Sequence, residues 1–358
     1  MKEKQNKDKN PFKGISSSKV IYPIIIGVGV VLYLFWKEFD INAFSVLTFT
    51  AKTAFWLFVA ICCMAFRDIG YMIRLRILTD GRLTWLQIFR VIMLWEFTSA
   101  ITPSAVGGTS VAILYVHKEG ISVGKSSAVV MATSFLDELY FILIFPLLVL
   151  FLDSQVLFLA QETGLNFRNE FLLFAIIGYS LKLAYLILLS YGLFFNPRGL
   201  KWLLLQIFRL PVLRRWRQGA NKAGTEIITS SKELIRKPFG WWLRAFAATF
   251  FSWTSRYWVV NAMLLAFFTV KDHMLIFARQ LVMWIMMLVS PTPGGSGFAE
   301  YIFTRYLSDV IPVDPTLIGP VIIAMALLWR VITYYPYLFI GAIIFPRWIK
   351  TKFKRNKD

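Results

Sequence analysis

Eleven ionisable side chains lie inside otherwise apolar stretches of this 358-residue chain. They are Lys52, Arg90, Glu96, Asp137, Glu138, Lys182, Arg256, Arg279, Glu300, Arg305 and Arg330. A charge near the centre of a bilayer costs about 2.5 to 3.5 kcal/mol, so such residues pair with one another or face a wet cavity. Seven of the eleven are positive and four negative, and the surplus favours an anionic group such as a phosphate, which arginine binds bidentately.

Two proline- and glycine-rich stretches interrupt apolar runs: SAITPSAVGGTSVAI (99–113) and VSPTPGGSGFAEYIF (289–303). Glycine allows tight turns and positive φ, which leaves backbone N–H groups free, and a half-helix that follows would direct its positive dipole end into a cavity. Both stretches therefore predict anion-binding tips. The plainer interpretation, kinked and packed helices, stays open.

The last apolar run places Arg330, Thr333, Tyr334 and Tyr337 on one helix face. The tyrosines could bind a polar ligand or only pack. Together these features predict the following substrate-binding residues: Pro103, Gly107, Gly108, Asp137, Glu138, Arg256, Arg279, Pro293, Gly294, Gly295, Gly297, Glu300, Arg330 and Tyr334. A purely structural role in ion pairs is the alternative for the charged members.

Metal, cofactor and catalytic signatures are not found in the sequence. Cys62 and Cys63 are adjacent, and His117 and His273 are far apart, so neither pair has a metal-ligand spacing. No P-loop, GxSxG or HExxH motif occurs. We expect no metal, no cofactor and no dedicated catalytic residue.

The composition indicates an all-α, polytopic membrane protein. Hydrophobic residues make up 57% of the chain and charged residues 16%, and the mean hydropathy is +0.61. Apolar runs of roughly 17 to 29 residues match the length of a membrane-crossing helix. We expect about eight membrane segments, at 20–36, 43–66, 84–117, 126–152, 171–195, 245–269, 275–307 and 317–345.

Basic residues concentrate in alternate connecting segments. Residues 1–19 carry six lysines, residues 67–82 four arginines and residues 196–244 eleven lysines or arginines, whereas 153–170 is acidic. The positive-inside rule therefore predicts cytoplasmic basic tails at 1–19 and 346–358 and an external loop at 153–170. The 196–244 loop is also predicted to be cytoplasmic, and its stretch KWLLLQIFRLPVLRRWRQ either lies on anionic lipid or only sets the topology.

The same charge pattern requires the runs 84–117 and 275–307 to enter the membrane and return on the side from which they came. Each half of the chain, 20–152 and 171–345, then contains two helices, a re-entrant hairpin and a further helix, in opposite orientations. Inverted repeats with interrupted helices at matching positions are typical of transporters.

Several motifs are similar to those of a known family. The stretches PTPGGSGFAE, LLWRVITYYPYLFIG, ITPSAVGG, HKEGIS and SFLDELYF resemble the flippase-like family named for the transmembrane region of lysylphosphatidylglycerol synthase, over about residues 20–345. The resemblance implies an inner-membrane protein with about eight segments, re-entrant helices among them, that moves or handles lipids. Residues that match its motifs are Pro103, Gly107, Pro293, Gly294, Gly295, Gly297, Glu300 and Arg330.

Two departures from the family pattern affect the function that we expect. Many relatives place an arginine shortly after the first glycine motif, where this chain has TSVAILY. The synthase also has a soluble transferase domain, whereas 13 residues follow position 345 here, so we expect no lipid aminoacylation.

The sequence leaves three functions open. The first is a translocase for an anionic, phosphate-bearing lipid. The second is an intramembrane transferase with Glu300, Asp137 or Glu138 as general base, and the third is an accessory subunit of a lipid or glycan synthesis enzyme. We expect membrane lipids as partners and no nucleic acid, and a homo-oligomer is left open. No ATPase motif is present, so a proton or ion gradient or downhill movement would supply the energy.

Overall fold

The computed structural model describes residues 47–101, 104–160, 169–207, 209, 217–288, 295 and 297–354, and these residues form α helices with no strand among them. Several predicted features lie outside this part of the chain, namely the segments 1–19 and 20–36, Pro103, Pro293 and Gly294.

The helices are numbered here in chain order. The first half contains α1 (Ala51–Leu78), α2 (Trp85–Ile101), α3 (Ser104–Lys118) and α4 (Val123–Phe151). The middle contains α5 (Ser154–Leu157), α6 (Glu170–Ser190) with a π-helical turn (Tyr191–Phe195), α7 (Pro197–Ile207) and α8 (Arg217–Ile235). The second half contains α9 (Phe239–Phe267), α10 (His273–Met287), α11 (Phe298–Leu307), α12 (Ile318–Thr333) and α13 (Tyr335–Lys354).

Four stretches are long and apolar enough to cross a membrane within the described residues: Ala51–Leu78, Val123–Phe151, Glu170–Phe195 and Ile318–Lys352. Their outward surfaces carry large apolar side chains, such as Phe58, Leu150 and Ile187, each more than half exposed. A surface of this kind is stable against lipid but not against water. The helix α9 is as long as these, and its arginines, tryptophans and small polar residues lower its hydropathy.

Local sequence signals set the helix ends. Thr50 caps α1, since its side chain accepts a hydrogen bond from the Thr53 amide and its own amide donates to Thr53 Oγ1. Asn169 caps α6 in the same way, with Oδ1 accepting from the Leu172 amide at 2.9 Å. Asp80 and Gly81, both at positive φ, turn the chain after α1.

The long helices α1 and α9 form the centre of the fold and pack antiparallel. Thr53 Oγ1 donates to the Ala266 carbonyl near one end of the pair, and Ser252 Oγ donates to the Arg67 carbonyl further along. Gly70 permits this close approach, because a Cβ atom there would lie 2.8 Å from Ser252 Cβ. The contact between α1 and α9 therefore joins the first half of the chain to the second.

The two broken runs each fold as a pair of contacting helices. In the first pair a Cβ atom at Gly108 of α3 would lie 1.9 Å from Ser99 Oγ of α2. In the second pair Arg279 of α10 donates to the carbonyl of Tyr306 of α11.

A second contact in each pair shows that both are antiparallel. Gln87 at the start of α2 donates to the Glu119 carbonyl just after α3. A Cβ atom at Gly295, just before α11, would lie 2.9 Å from Met287 Cε at the end of α10.

Two of the expected boundaries are wrong. The segment expected at 43–66 is a helix that ends at Leu78, so Arg67 and Arg74 are helical and buried rather than in a loop. The run expected to end at 345 continues to Lys354, and it is divided at Tyr334 into two consecutive helices because Pro336 in the first turn of α13 has no amide hydrogen to continue α12. The predicted continuous face from Arg330 to Tyr337 is thus interrupted at Tyr334.

Candidate functional site

A cluster of buried charges begins on α1. Arg67 is 2% exposed, and its guanidinium binds two carboxylates: Nη1 lies 2.8 Å from Asp68 Oδ1 and Nη2 lies 2.6 Å from Glu96 Oε1 on α2. Tyr337 of α13 donates its hydroxyl to both Asp68 oxygens, at 3.0 and 2.9 Å. The Arg67 guanidinium also lies 4.4 Å from the centre of the Tyr71 ring. Three helices are joined at this point.

About two turns further along α1, a second arginine continues the cluster. Arg74 forms a bidentate pair with Asp137 of α4, with distances of 2.5 and 3.3 Å, and donates to Thr249 of α9 at 3.2 Å. Trp253 Nε1 donates to the same Asp137 at 2.6 Å. The Tyr71 ring lies 4.5 Å from the Arg74 guanidinium and thus separates the two arginines.

A third arginine near the middle of α9 differs from the other two. The half-buried Arg256 guanidinium lies 4.4 Å from the Trp284 ring centre and 5.9 Å from that of Trp253. It is also within electrostatic range of the Tyr337 hydroxyl. Arg256 has no carboxylate partner among the described residues. Stacking uses the faces of the guanidinium and leaves its in-plane N–H donors available.

Glu138 lies beside Asp137 in sequence but belongs to a separate pair. It accepts two hydrogen bonds from Lys182 Nζ of α6, at 3.0 and 3.2 Å. The ammonium also lies 4.1 Å from the Phe141 ring centre. Glu138 therefore joins α4 to α6, and both carboxylates of the predicted pair have a cation partner.

The second glycine stretch leads into α11. Gly295 and Gly297 have φ values of 70° and 84°, which only glycine adopts readily. Glu300 Oε2 accepts from the Gly297 amide at 2.6 Å, and its Oε1 accepts from Arg330 Nε at 2.7 Å. The protein's own carboxylate therefore occupies the positive N-terminus of α11. Gly294 and Pro293 lie outside the described residues.

The first glycine stretch has a different geometry from the one predicted. Gly107 and Gly108 lie within α3, and neither has a positive φ. Gly108 allows α2 and α3 to touch rather than forming a turn. The expectation that both glycine clusters turn the chain is wrong for these two residues. Tyr334, between α12 and α13, donates to the Ala100 carbonyl of α2 at 3.0 Å, so it links the first pair of helices to the last two.

Arg279 is fully buried and has four hydrogen bonds. Its Nη1 donates to Asp309 Oδ1 and to the Tyr306 carbonyl, and its Nη2 donates to Asp309 Oδ2 and to the Val156 carbonyl, at 2.5 to 3.1 Å. Tyr306 also donates its hydroxyl to the Leu157 carbonyl. These bonds join α10 and α11 to the short helix α5. Substrate binding by Arg279 stays a prediction, and such binding would have to break this arrangement.

The opposite end of the molecule has its own polar cluster. Asp80 binds Lys237 Nζ at 2.5 Å and Lys125 Nζ at 3.3 Å, so three segments distant in sequence meet there. Partial burial alone would raise the pKa of Asp80, but the hydrogen bonds from Lys237 and Lys125 outweigh it and lower the pKa below its ordinary value. Nearby on this side, the buried Glu119 accepts from Trp348 and Lys352 of α13, both at 2.9 Å.

Several of the predicted site residues lie close together in the structure, next to buried charged residues that the charge pattern assigns to a loop. Asp137 and Arg256 both contact Trp253, and Glu300, Gly295 and Arg330 meet at the start of α11. Arg67, Asp68 and Arg74 were missed because RDIGYMIRLR resembles a cytoplasmic loop by charge. The signal that could have found them is the absence of proline from this stretch, which leaves a helix free to continue. In the described part of the chain no group of three or more His, Cys, Asp or Glu residues could hold a metal ion.

Comparison with known proteins decides the family. The family model described as "Lysylphosphatidylglycerol synthase TM region" matches residues 20–341, most of the chain. The chain belongs to this family. It is also similar to a "UPF0104 membrane protein" of Archaeoglobus fulgidus, with 27% identity over 327 residues that cover 87% of this chain and 89% of the relative. No solved structure matches the chain.

Membership of the lysylphosphatidylglycerol synthase transmembrane family agrees with the helices described above. The matched region includes the whole buried cluster, from Arg67 on α1 to Tyr337 on α13. The chain is therefore an all-α, multi-pass membrane protein, as its composition predicts. The cluster belongs to the part of the chain that defines the family.

Proposed function

We propose that this protein is a translocase that moves a phosphate-bearing lipid between the leaflets of the membrane. Arg256 is the observation that carries the proposal. Its positive charge lies near the middle of a membrane helix and contacts no carboxylate directly among the described residues, although a charge at that depth is costly unless a partner binds it. A phosphate headgroup would neutralise it and accept its in-plane N–H donors bidentately.

Arg330 is the second cation that we assign to the headgroup. A Cβ atom at Gly295 would lie 4.0 Å from Arg330 Nη2, so the glycine brings the backbone close to the guanidinium. Arg330 also stacks on Tyr334, with 4.7 Å between the guanidinium and the ring centre. In the proposed cycle the headgroup competes with Glu300 for Arg330 and thereby loosens the start of α11.

An inverted repeat with two re-entrant hairpins, α2–α3 and α10–α11, would give the headgroup access from either side. The spacing of arginines supports such a repeat. In the first half of the chain Arg90 follows Arg67 by 23 residues, and in the second half Arg279 follows Arg256 by the same 23 residues. Contacts support it as well, because α1 contacts α2 and α4 as α9 contacts α10 and α12. Such repeats are related by an axis in the plane of the membrane.

We further propose a plasma membrane location with both termini in the cytoplasm. Segments that the charge pattern assigns to the same side lie together in the structure. Asp80 binds both Lys125 and Lys237, and all three residues are predicted to be cytoplasmic. The external segments 153–170 and 308–316 both contact Arg279, through Val156 and Asp309.

A reconstitution assay tests the proposed function. The purified protein is placed in phosphatidylcholine vesicles with a trace of fluorescent phosphatidylglycerol or of a fluorescent polyprenyl phosphate, and a membrane-impermeant reductant quenches the outer leaflet. We expect the protein to expose the inner-leaflet lipid to quenching. The Arg256→Gln variant should lower this rate at least about tenfold, because a lost charged hydrogen bond costs about 1.5 to 3 kcal/mol.

Arg244→Gln is the matched control, since Arg244 lies on the same helix α9 but is exposed. We expect this variant to keep the wild-type rate. Equal rates for the Arg256 and Arg244 variants would remove Arg256 from the site. No acceleration over empty vesicles with either lipid would contradict the translocase itself and favour an accessory subunit.

A further inference from the structure

Two carboxylates share one guanidinium in the centre of the protein. Asp68 and Glu96 both bind Arg67, while the neighbouring Arg74 is occupied by Asp137. The side chains of Asp68 and Glu96 are 19% and 22% exposed, so the packed helices do not fully enclose either carboxylate. Because the two carboxylates repel each other, one arginine stabilises their two negative charges less well than two arginines in separate ion pairs would.

The charges around this pair come from every helix that packs against it. The groups that face Asp68 and Glu96, directly or across the Tyr71 or Tyr337 ring, are Arg67, Tyr71 and Arg74 of α1, Asp137 of α4, Arg256 of α9 and Tyr337 of α13. Three arginines therefore balance three carboxylates when no ligand is bound. Arg256 supplies the third positive charge although it contacts none of these carboxylates directly, and it is also the proposed headgroup contact.

We infer that the Asp68–Glu96 pair binds one proton each time an anionic headgroup binds at Arg256, so that lipid movement is coupled to protons. This inference rests on the proposed function. A bound phosphate with one negative charge would give the cluster a net charge of −1, which is unfavourable in a medium of low dielectric. A water-borne proton on Asp68 or Glu96 restores neutrality, and it returns to water when the headgroup leaves.

A ratio of one proton to one headgroup determines how transport should respond to membrane potential and to pH. One negative headgroup and one proton together carry no net charge, so the coupled step does not respond to membrane potential. It does respond to a pH difference, because the proton and the lipid move in the same direction. At equilibrium the lipid should accumulate in the leaflet that faces the more alkaline side, by about tenfold for one pH unit.

The vesicle assay with fluorescent phosphatidylglycerol in phosphatidylcholine tests this directly. Vesicles are made one pH unit more alkaline inside, and the lipid that is protected from the external reductant is measured. A trapped pH-sensitive dye records proton entry in the same sample. We expect about tenfold enrichment of the lipid in the inner leaflet, acidification of the interior as lipid moves, and no response to an imposed potassium diffusion potential.

Two isosteric variants locate the proton, and each variant's response to pH is normalised to its own rate without a gradient. Glu96→Gln and Asp68→Asn should each lower the enrichment to less than about twofold. Glu233→Gln is the control, because Glu233 is an exposed carboxylate outside the cluster, and it should keep the full enrichment. The dye measurement needs only the wild-type protein, so a variant that fails to fold does not leave the inference untested.

The outcomes separate the two proposals. Lipid exchange without enrichment and without proton entry would overturn the coupling and leave the translocase standing. A response to potential but not to pH would also overturn it. Full enrichment in both variants would remove the proton from this pair, whereas no exchange under any condition would contradict the translocase on which the inference rests.

Discussion

At the scale of single residues, the interior is defined by which cation each carboxylate binds. Asp137 accepts three hydrogen bonds, two from Arg74 and one from Trp253. Glu300 and Glu138 each have their own cation as well. A general base needs an oxygen free to accept a proton from the substrate. Each of the three carboxylates considered for transfer chemistry is bound to a cation, which would have to move before that carboxylate could act as a base.

The Arg74–Asp137 pair offers a stability test. Removing one partner leaves the other charge buried and unpaired, so Arg74→Gln and Asp137→Asn should each destabilise the protein by about 3 to 5 kcal/mol. The double variant should lose much less than the sum, since it leaves neither charge behind. Thermal unfolding in detergent measures all three, and additive losses would show that the two residues act independently.

Sequence patterns identified the buried carboxylates more readily than the arginines that bind them. Asp137, Glu138 and Glu300 stand out because they lie within apolar runs. Arg67 and Arg74 do not, since a cluster of arginines at the end of an apolar run is also the usual mark of a cytoplasmic loop. The ion pairs, such as Arg74 with Asp137 across 63 residues of sequence, depend on tertiary packing that no local pattern contains.

At the scale of helices, the antiparallel contact between α1 and α9 positions the site. It brings Arg67, Arg74 and Arg256 to the same region, and small residues make the contact possible. Apolar periodicity predicted that both helices exist, but it did not predict that α1 ends at Leu78 or that the two pack together. A helix buried among other helices and lipid has apolar residues on every side, so its contact face cannot be identified from the pattern.

Gly70 and Gly240 provide a matched pair for testing this contact. A Cβ atom at Gly70 would lie 2.8 Å from Ser252 Cβ and 2.9 Å from the Ala248 carbonyl, whereas one at Gly240 meets nothing within 4 Å. Gly70→Ala should therefore destabilise the protein by about 1 to 3 kcal/mol through overpacking. Gly240→Ala should be neutral or slightly stabilising.

The melting temperature in detergent distinguishes these two variants, with the elution profile on size-exclusion chromatography as a check on folding. A Gly70 variant as stable as the Gly240 variant would mean that α1 and α9 can separate without cost. In that case the central contact would not be what holds the two halves in place.

At the scale of the whole molecule, the polar groups outside the buried cluster collect at two opposite faces. One face holds Asp80 with its two lysines, and the other holds Arg279 with Asp309. Loop charge alone predicted this division, because the positive-inside rule depends on composition and not on contacts. The tails at 1–19 and 355–358 lie outside the described residues, so their side of the membrane stays a prediction.

Single cysteines can test the orientation after Cys62 and Cys63 are replaced by serine. Glu233→Cys lies on the proposed cytoplasmic face and Asp314→Cys on the proposed external face, and both native side chains are exposed. In intact cells an impermeant maleimide should label position 314 and reach position 233 only after the membrane is opened. The reverse pattern would invert the proposed topology.

The bonding of Arg279 has a consequence for the empty protein. Arg279 has four hydrogen bonds at one face, whereas Arg90, its counterpart in the proposed repeat, donates within the described residues only to the Leu86 carbonyl of its own helix and lies 4.0 Å from Glu119 at the other. Opening either face would require its arginine to release its partners, and each 1.4 kcal/mol of difference changes the ratio of two conformations about tenfold. If the protein is the proposed translocase, we therefore expect the unloaded form to open first toward the face at which α2 begins, where fewer bonds to the arginine must break.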